Sequence, residues 1–297
     1  MAIGKWTADT VDVPVELTFW GVRGSIPVPG GDTARWGGNS SCVEVRHGDL
    51  PPLVLDCGTG ARALGVKLAR EHARRVHVLL SHLHADHIFG FPFFMPLYAP
   101  GTQVRVGLPA YSEDEARERL GRYLNGSFHP VRQREMPALA GYLAVRPGRV
   151  LELDGWKVTP HRLNHPGGSM GYRVEADGLA IAYVTDTAPF AQPGEGLLAG
   201  EEPQPAERRM LAFLQGCQVV VYDTMFDHDA YLEKMTWGHS YPEYALALAR
   251  AAGVDRLVLF HHEPDASDQE LDERSARFGH ETAPRVRLAR EGETITV

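Results

Sequence analysis

The sequence predicts an α/β fold (α+β in some schemes) built on large sheets, and three observations carry that expectation. Short β-branched runs recur along all 297 residues. Amphipathic stretches of helical period fall between them, and the strands outnumber the helices too heavily for a pure parallel stack. Hydrophobic residues make up 43% and charged residues 23%, which excludes a disordered or fibrous chain. That length buries a sizeable core. One domain over 1–297 is expected, with 1–14 as an N-terminal extension and 189–205 as a flexible loop.

Val15–Trp20 opens the fold as a strand, followed by Cys42–Arg46 and the short apolar Leu53–Leu55. Ala61–Glu71 has helical period, Val76–Leu80 is a continuous apolar strand, and Gln103–Val106 is the next. Glu113–Leu124 is helical. Strands Val150–Leu153, Trp156–Thr159, Gly171–Val174 and Ala180–Val184 come in close succession, then helix Glu207–Leu214 and strand Val219–Tyr222. Helix Tyr241–Ala252 carries a start signal: Ser240-Tyr-Pro-Glu243 has the form of a capping box, with Pro in the first turn where its missing N–H costs nothing. Leu257–Phe260, Arg285–Leu288 and Thr294–Val297 complete the strands. Two segments read as surface loops or lids: Tyr111–Gly148, and Pro189–Pro205 with Glu195, Glu201 and Glu202 among Gly and Pro.

The net charge of −8 argues against a general grip on long nucleic acid, which needs a basic face to displace counterions. A small anionic substrate stays open, because bound cations can dominate a site's field. Three scattered cysteines (Cys42, Cys57, Cys217) suit a reducing compartment. The N-terminus has no signal-peptide pattern and the apolar runs are strand-sized, so a soluble cytoplasmic protein with no membrane span is expected.

The chemistry concentrates in Ser81-His-Leu-His-Ala-Asp-His87, directly after a strand. Three imidazoles and a carboxylate within six residues form a dense donor set for zinc, and iron or manganese accepts the same atoms. His165, Asp186 and His261 also follow strands or stand in turns beside them. Side chains at strand carboxyl ends converge on one rim in α/β folds, so these residues are expected to meet the first group. His161 competes with His165 as a ligand. His239 precedes the expected helix cap, where backbone N–H groups favour an anion, and is a candidate proton donor.

The order Asp56-Cys-Gly-Thr-Gly60, His82–His87, His165, Asp186 and His261 resembles the motifs of the metallo-β-lactamase superfamily over nearly the whole chain, from about Leu17 onward. The resemblance implies a four-layered αβ/βα sandwich holding two divalent metal ions, zinc foremost. It implies a first metal on His82, His84 and His165, a second on Asp86, His87 and His261, and Asp186 bridging them. Asp56 is implied to orient the ligands by hydrogen bonds. His262, next to His261, points the other way if the strand continues, and is expected to support the ligands from behind. Homodimers are common in the family, and one subunit would cap its neighbour's cleft.

Asp rather than Cys at 186 resembles the branch that cleaves phosphodiesters. So do Trp237-Gly-His239-Ser240, Asp223-Thr-Met-Phe226, Leu259-Phe-His-His262-Glu-Pro264, and Gly21-Val-Arg-Gly-Ser-Ile-Pro27 with Arg35-Trp-Gly-Gly-Asn39, which are similar to the tRNase Z and cyclic-nucleotide phosphodiesterase group. The implied reaction is metal-assisted phosphodiester hydrolysis, with Asp86 orienting the nucleophile and His239 protonating the leaving oxygen. Ser25, Asn39 and Ser240 are the candidate substrate contacts. Only 21 positions separate His165 from Asp186, too few for the long basic arm with which a tRNase Z holds tRNA. A small cyclic phosphodiester such as a cyclic nucleotide is therefore the expected substrate. The rivals are an RNA or DNA nuclease, a hydrolase of a non-phosphate ester or thioester, and a non-hydrolytic metal-binding protein.

Overall fold

Fourteen strands are divided between two sheets of seven in the computed structural model, which describes residues 13–297. The expected extension 1–14 thus falls almost wholly outside the described residues. The first half of the chain supplies β1 (Val15–Gly21), β2 (Cys42–His47), β3 (Leu53–Leu55), β4 (Arg75–Leu79), β5 (Gln103–Pro109) and β6 (Leu139–Val145). The second supplies β7 (Leu151–Leu153), β8 (Trp156–Leu163), β9 (Ser169–Ala176), β10 (Leu179–Val184), β11 (Val219–Asp223), β12 (Arg256–Phe260) and β13 (Arg285–Leu288). The last strand, β14 (Thr294–Thr296), returns to pair with β1, giving the orders β14-β1-β2-β3-β4-β5-β6 and β13-β12-β11-β10-β9-β8-β7.

Both sheets follow one plan. β1–β2–β3 and β7–β8–β9–β10 run antiparallel, and Asp154-Gly155 and Asp177-Gly178, at positive φ, close the two tight hairpins. β3–β4–β5–β6 and β10–β11–β12–β13 run parallel, so their carboxyl ends lie along one edge. Helices α1 (Ala61–Arg70) and α3 (Glu113–Tyr123) flank the first sheet, with the single turn α2 (Ala85–Ile88) between them in sequence. Helices α4 (Pro205–Leu214), α6 (Pro242–Ala252) and α7 (Asp268–Phe278) flank the second, and α5 (His228–Glu233) lies before α6.

Three apolar layers result. Leu17, Phe19, Val43 and Val45 meet Trp156, Val158, Tyr172 and Ile181 between the sheets. Val54, Val76 and Val104 pack on Leu64 and Leu68 of α1 and Leu120 of α3. Ala182, Val220 and Leu257 pack on Met210, Leu248 and Leu271 of α4, α6 and α7. This is the four-layered αβ/βα sandwich. Each such side chain contributes about 1.5–3 kcal/mol on burial, against about 0–1 kcal/mol for an exposed ion pair such as Arg122–Glu118. The interlayer cores therefore fix where the strand ends stand. No helix among the described residues is long and apolar enough to cross a membrane.

Several expectations are corrected. Tyr111–Gly148 is not an added loop, because β6 within it forms the edge of the first sheet. Its small, weakly patterned Leu-Ala-Gly-Tyr-Leu-Ala-Val conceals the strand. Pro189–Pro205 is irregular apart from one 3-10 turn at Gly196–Ala199. The capping box at Ser240 does not form: Tyr241 is the N-cap, and Glu243 pairs with Arg277 instead. The box forms at Ser267–Glu270, where the hydroxyl accepts from Glu270 N and Glu270 Oε2 accepts from Ser267 N at 2.7 Å, opening the unexpected helix α7.

Candidate metal centre

The parallel strands deliver the donors. Asp56 follows β3, His82–His87 follows β4, Asp186 follows β10, Asp223 ends β11 and His261 follows β12, while His165 stands in the β8–β9 turn. Asp56, Asp186 and His261 all have left-handed backbone, with φ of 59°, 55° and 65°. Asp and His tolerate that region better than most residues, and it turns each side chain sharply off its strand.

Asp186 lies at the centre. Its Oδ2 is 3.5 Å from His82 Nε2 and 3.6 Å from His165 Nε2, and His165 Nε2 is 3.1 Å from His84 Nδ1. Its Oδ1 is 3.1 Å from both His87 Nε2 and His261 Nε2, and Asp86 Oδ2 stands 3.1 and 3.3 Å from the same two nitrogens. Two compact donor groups thus share one carboxylate: His82, His84, His165 and Asp186, and Asp86, His87, Asp186 and His261. A third grouping, Asp186, Asp223, His239 and His261, overlaps them.

The donor set fits cations. Nε2 of His82 and of His87 is buried without a hydrogen bond, which costs free energy unless something else occupies its lone pair. Burial, reinforced by His87, pushes the His82 imidazole well below its usual range, which favours the neutral form a metal donor needs. Burial alone would raise the Asp86 and Asp186 carboxyls; the neighbouring imidazoles outweigh it and hold both low, which favours ionised donors.

The ligands are held from outside. Asp56 accepts from Ser81 N at 2.7 Å, Ser81 Oγ at 2.9 Å, His87 Nδ1 at 2.8 Å and Tyr183 O–H at 2.9 Å. Ser81 Oγ also stands 3.0 Å from His82 Nδ1, His165 Nδ1 donates to Gly238 O at 2.9 Å, and Ser25 N donates to Asp86 Oδ2 at 2.8 Å. A side chain at Gly238 would come within 2.4 Å of the His165 ring, so that approach needs glycine. Orienting bonds of this kind fix imidazole tautomers at metal sites.

His239 stacks on His261 at 5.1 Å and lies 5.3 Å from His165, beside both groups. Its Nδ1 donates to Asp223 Oδ2 at 2.8 Å, and Asp223 is fixed in turn by Thr187 N and Met225 N. Burial opposes charge on His239, but Asp223 outweighs it and raises the imidazole to about 9. A cation nearby pulls that value back toward neutrality.

A beta-lactamase superfamily domain matches residues 53–262, well over half of the chain. The chain belongs to the metallo-β-lactamase superfamily. Ribonuclease BN of Salmonella gallinarum is 26% identical, over 83% of this chain and 88% of that protein. Among solved structures, the metallo-β-lactamase-fold protein YhfI of Bacillus subtilis superimposes with a TM-score of 0.70 at 18% identity, covering 96% of this chain and all (100%) of that one. Yeast PDE1 gives 0.67 at 13% identity over 96% and 100%. The short form of human tRNase Z gives 0.62 at 19% over 94% and 98%.

Within this metallo-β-lactamase chain the seven expected ligands meet, as do Asp56 and His239 beside them. His161 does not join them; it stacks on Phe213 at 4.8 Å. The Asn39 amide is committed to Glu291 Oε1 at 2.6 Å and contributes nothing to the donor groups. Ser240 is fully buried and its hydroxyl has no partner. Ser25 does reach the site, through its backbone N–H rather than its hydroxyl. His262 turns away, donating to Ala289 O at 2.7 Å, because the left-handed backbone at His261 breaks the strand just before it. Tyr183 was not legible as a member of the site, and Asp223 stood in a motif of the resemblance with no role assigned to it. Asp223 ends an apolar strand as Asp186 follows one, which was the available signal; Tyr183 looked like an ordinary strand aromatic.

Proposed function

We propose that this metallo-β-lactamase hydrolase is a phosphodiesterase with two divalent cations, acting on a small cyclic phosphodiester such as a cyclic nucleotide. The observation that carries the reading is the His239–Asp223 pair beside two donor groups joined by Asp186. Hydrolysis of a phosphodiester needs a proton for its alkoxide leaving group, whereas a site that only held metal would have no use for the pair. With Nδ1 committed to Asp223, His239 Nε2 has no hydrogen-bond partner among the described residues and is free to give that proton. Asp86, locked by Ser25 N–H, orients the nucleophilic water. Two bound cations, zinc foremost with manganese or iron as alternatives, would lower that water's pKa toward neutrality and offset charge on the phosphate.

Substrate size follows from the short connection between His165 and Asp186. The β9–β10 hairpin occupies it, turning at Asp177-Gly178, with no protruding arm. The net charge of −8 points the same way. Trp237 is 61% exposed two residues before His239 and edges onto Phe226, offering a flat apolar surface for a base. Similarity to ribonuclease BN supports a second reading, an RNA nuclease.

The test is hydrolysis of bis(p-nitrophenyl) phosphate, a panel of 2′,3′- and 3′,5′-cyclic nucleotides, and structured RNA, with bound metal quantified on the same sample. Metal-dependent turnover highest on a cyclic nucleotide is the expected result. Preference for RNA selects the second reading, and a metallated protein inert to all phosphodiesters overturns both.

A further inference from the structure

We propose that Arg23 is a positioning residue for the buried donor group, acting on Asp86 and His261 through the backbone of its own loop. This rests on the reading of Asp86, His87, Asp186 and His261 as a cation site.

Arg23 is fully buried, an expensive place for a guanidinium. No carboxylate hydrogen-bonds it. Its Nε donates to Gly37 O at 2.8 Å, and one terminal nitrogen donates to Glu263 O at 3.0 Å and Ala266 O at 2.6 Å. One side chain therefore staples three carbonyls from two distant segments around residues 22–25. The backbone is held as firmly: Arg23 N donates to Asn39 O at 3.0 Å, His262 N to Val22 O at 2.9 Å, and Gly24 N to His262 O at 2.9 Å.

The next two residues touch the ligands. A Cβ on Gly24 would lie 2.6 Å from His261 Cε1 and 2.7 Å from Nδ1, so the imidazole rests against bare backbone there. Ser25, at φ 59°, turns its N–H onto Asp86 Oδ2 at 2.8 Å. His261 needs such support. His87, His82 and His165 each have an orienting partner for the ring nitrogen turned from the cluster, but His261 Nδ1 has none, and Asp223 Oδ1 is 4.0 Å away. Packing on the Arg23-anchored loop does for His261 what a hydrogen bond does for the others. The same loop makes no hydrogen bond to His82, His84 or His165 among the described residues.

The experiment is competitive zinc titration of Arg23→Lys against wild type, with His84→Ala identifying the equivalent bound by His82, His84, His165 and Asp186, and thermal melting of each metal-free protein. Lysine keeps the charge but cannot span three carbonyls. The expected result is a 10–100-fold weaker buried-group equivalent, about the effect of losing a ligand's support, with the other equivalent within about twofold. Equal weakening of both, or a lower melting temperature with unchanged affinities, shows a merely structural staple and overturns the proposal. Gly24→Ala, which leaves the staple in place, must weaken the same equivalent; if it does not, the loop does not set the cluster. Wild-type protein that takes up no zinc overturns the cation reading itself, a result distinguishable from the others.

Discussion

The two donor groups share Asp186 yet differ in enclosure. His84 is exposed in one, although the His82 and His165 rings beside it are buried, whereas Asp86, His87 and His261 are all buried in the other. The buried group is supported by Asp56, the Ser25 N–H and the Gly24 backbone; the open one by Ser81 and a single carbonyl, Gly238 O. The difference teaches that similar donors can differ in what stands behind them, and support of that kind tunes the affinity of a metal site. An open cluster suits exchange and substrate entry, and a buried one suits a permanently held ion.

Asp186→Ala removes the carboxylate common to both groups, so metal content at both and turnover are expected to collapse together in elemental analysis and assay. Retention of one full equivalent would break the view of Asp186 as the link. His239→Ala is expected to lower kcat roughly 10²–10⁴-fold with metal content unchanged. Parallel loss of metal would assign His239 to holding a cation through the third donor grouping. Asp56→Asn is expected to weaken the buried equivalent about 10–100-fold and the open one less, because Asp56 touches His87 directly and His82 only through Ser81; equal effects would mean that direct support does not separate the clusters. Stopped-flow removal by a small chelator should then be biphasic, the open group emptying first, and a single phase would count against any difference in enclosure. The smallest effect is expected for Trp237→Ala, a KM for cyclic nucleotides raised about tenfold by lost stacking, with kcat moving less.

Much of the site was legible because ligands announce themselves by type. His82, His84, Asp86 and His87 crowd into one short loop after an apolar strand, and Asp186 and His261 repeat the strand-then-donor pattern. The strands were legible from β-branched runs, except β6, whose alanines and glycine carry little pattern. Helix α7 was missed because only Asp268, Leu271 and Phe278 are buried along it, too sparse an apolar stripe for periodicity to reveal. Ser240 and Ser267 show the limit of capping signals: both begin Ser-x-x-Glu, and only the one whose backbone meets the helix start forms the box.

The sequence by itself determined the fold class, most of the element order and the candidate donors, since hydrophobic period and donor chemistry are local properties, and the resemblance to a known family added the four-layered sandwich. Tertiary structure alone decided which carboxylate pairs with His239, why Arg23 is buried, and which cluster is open. Those depend on contacts between loops distant in sequence, such as Asp223 with His239, or Ser25 with Asp86, which meet only when the strands that carry them pair in their sheets. No local pattern encodes a distance between segments so far apart in the chain.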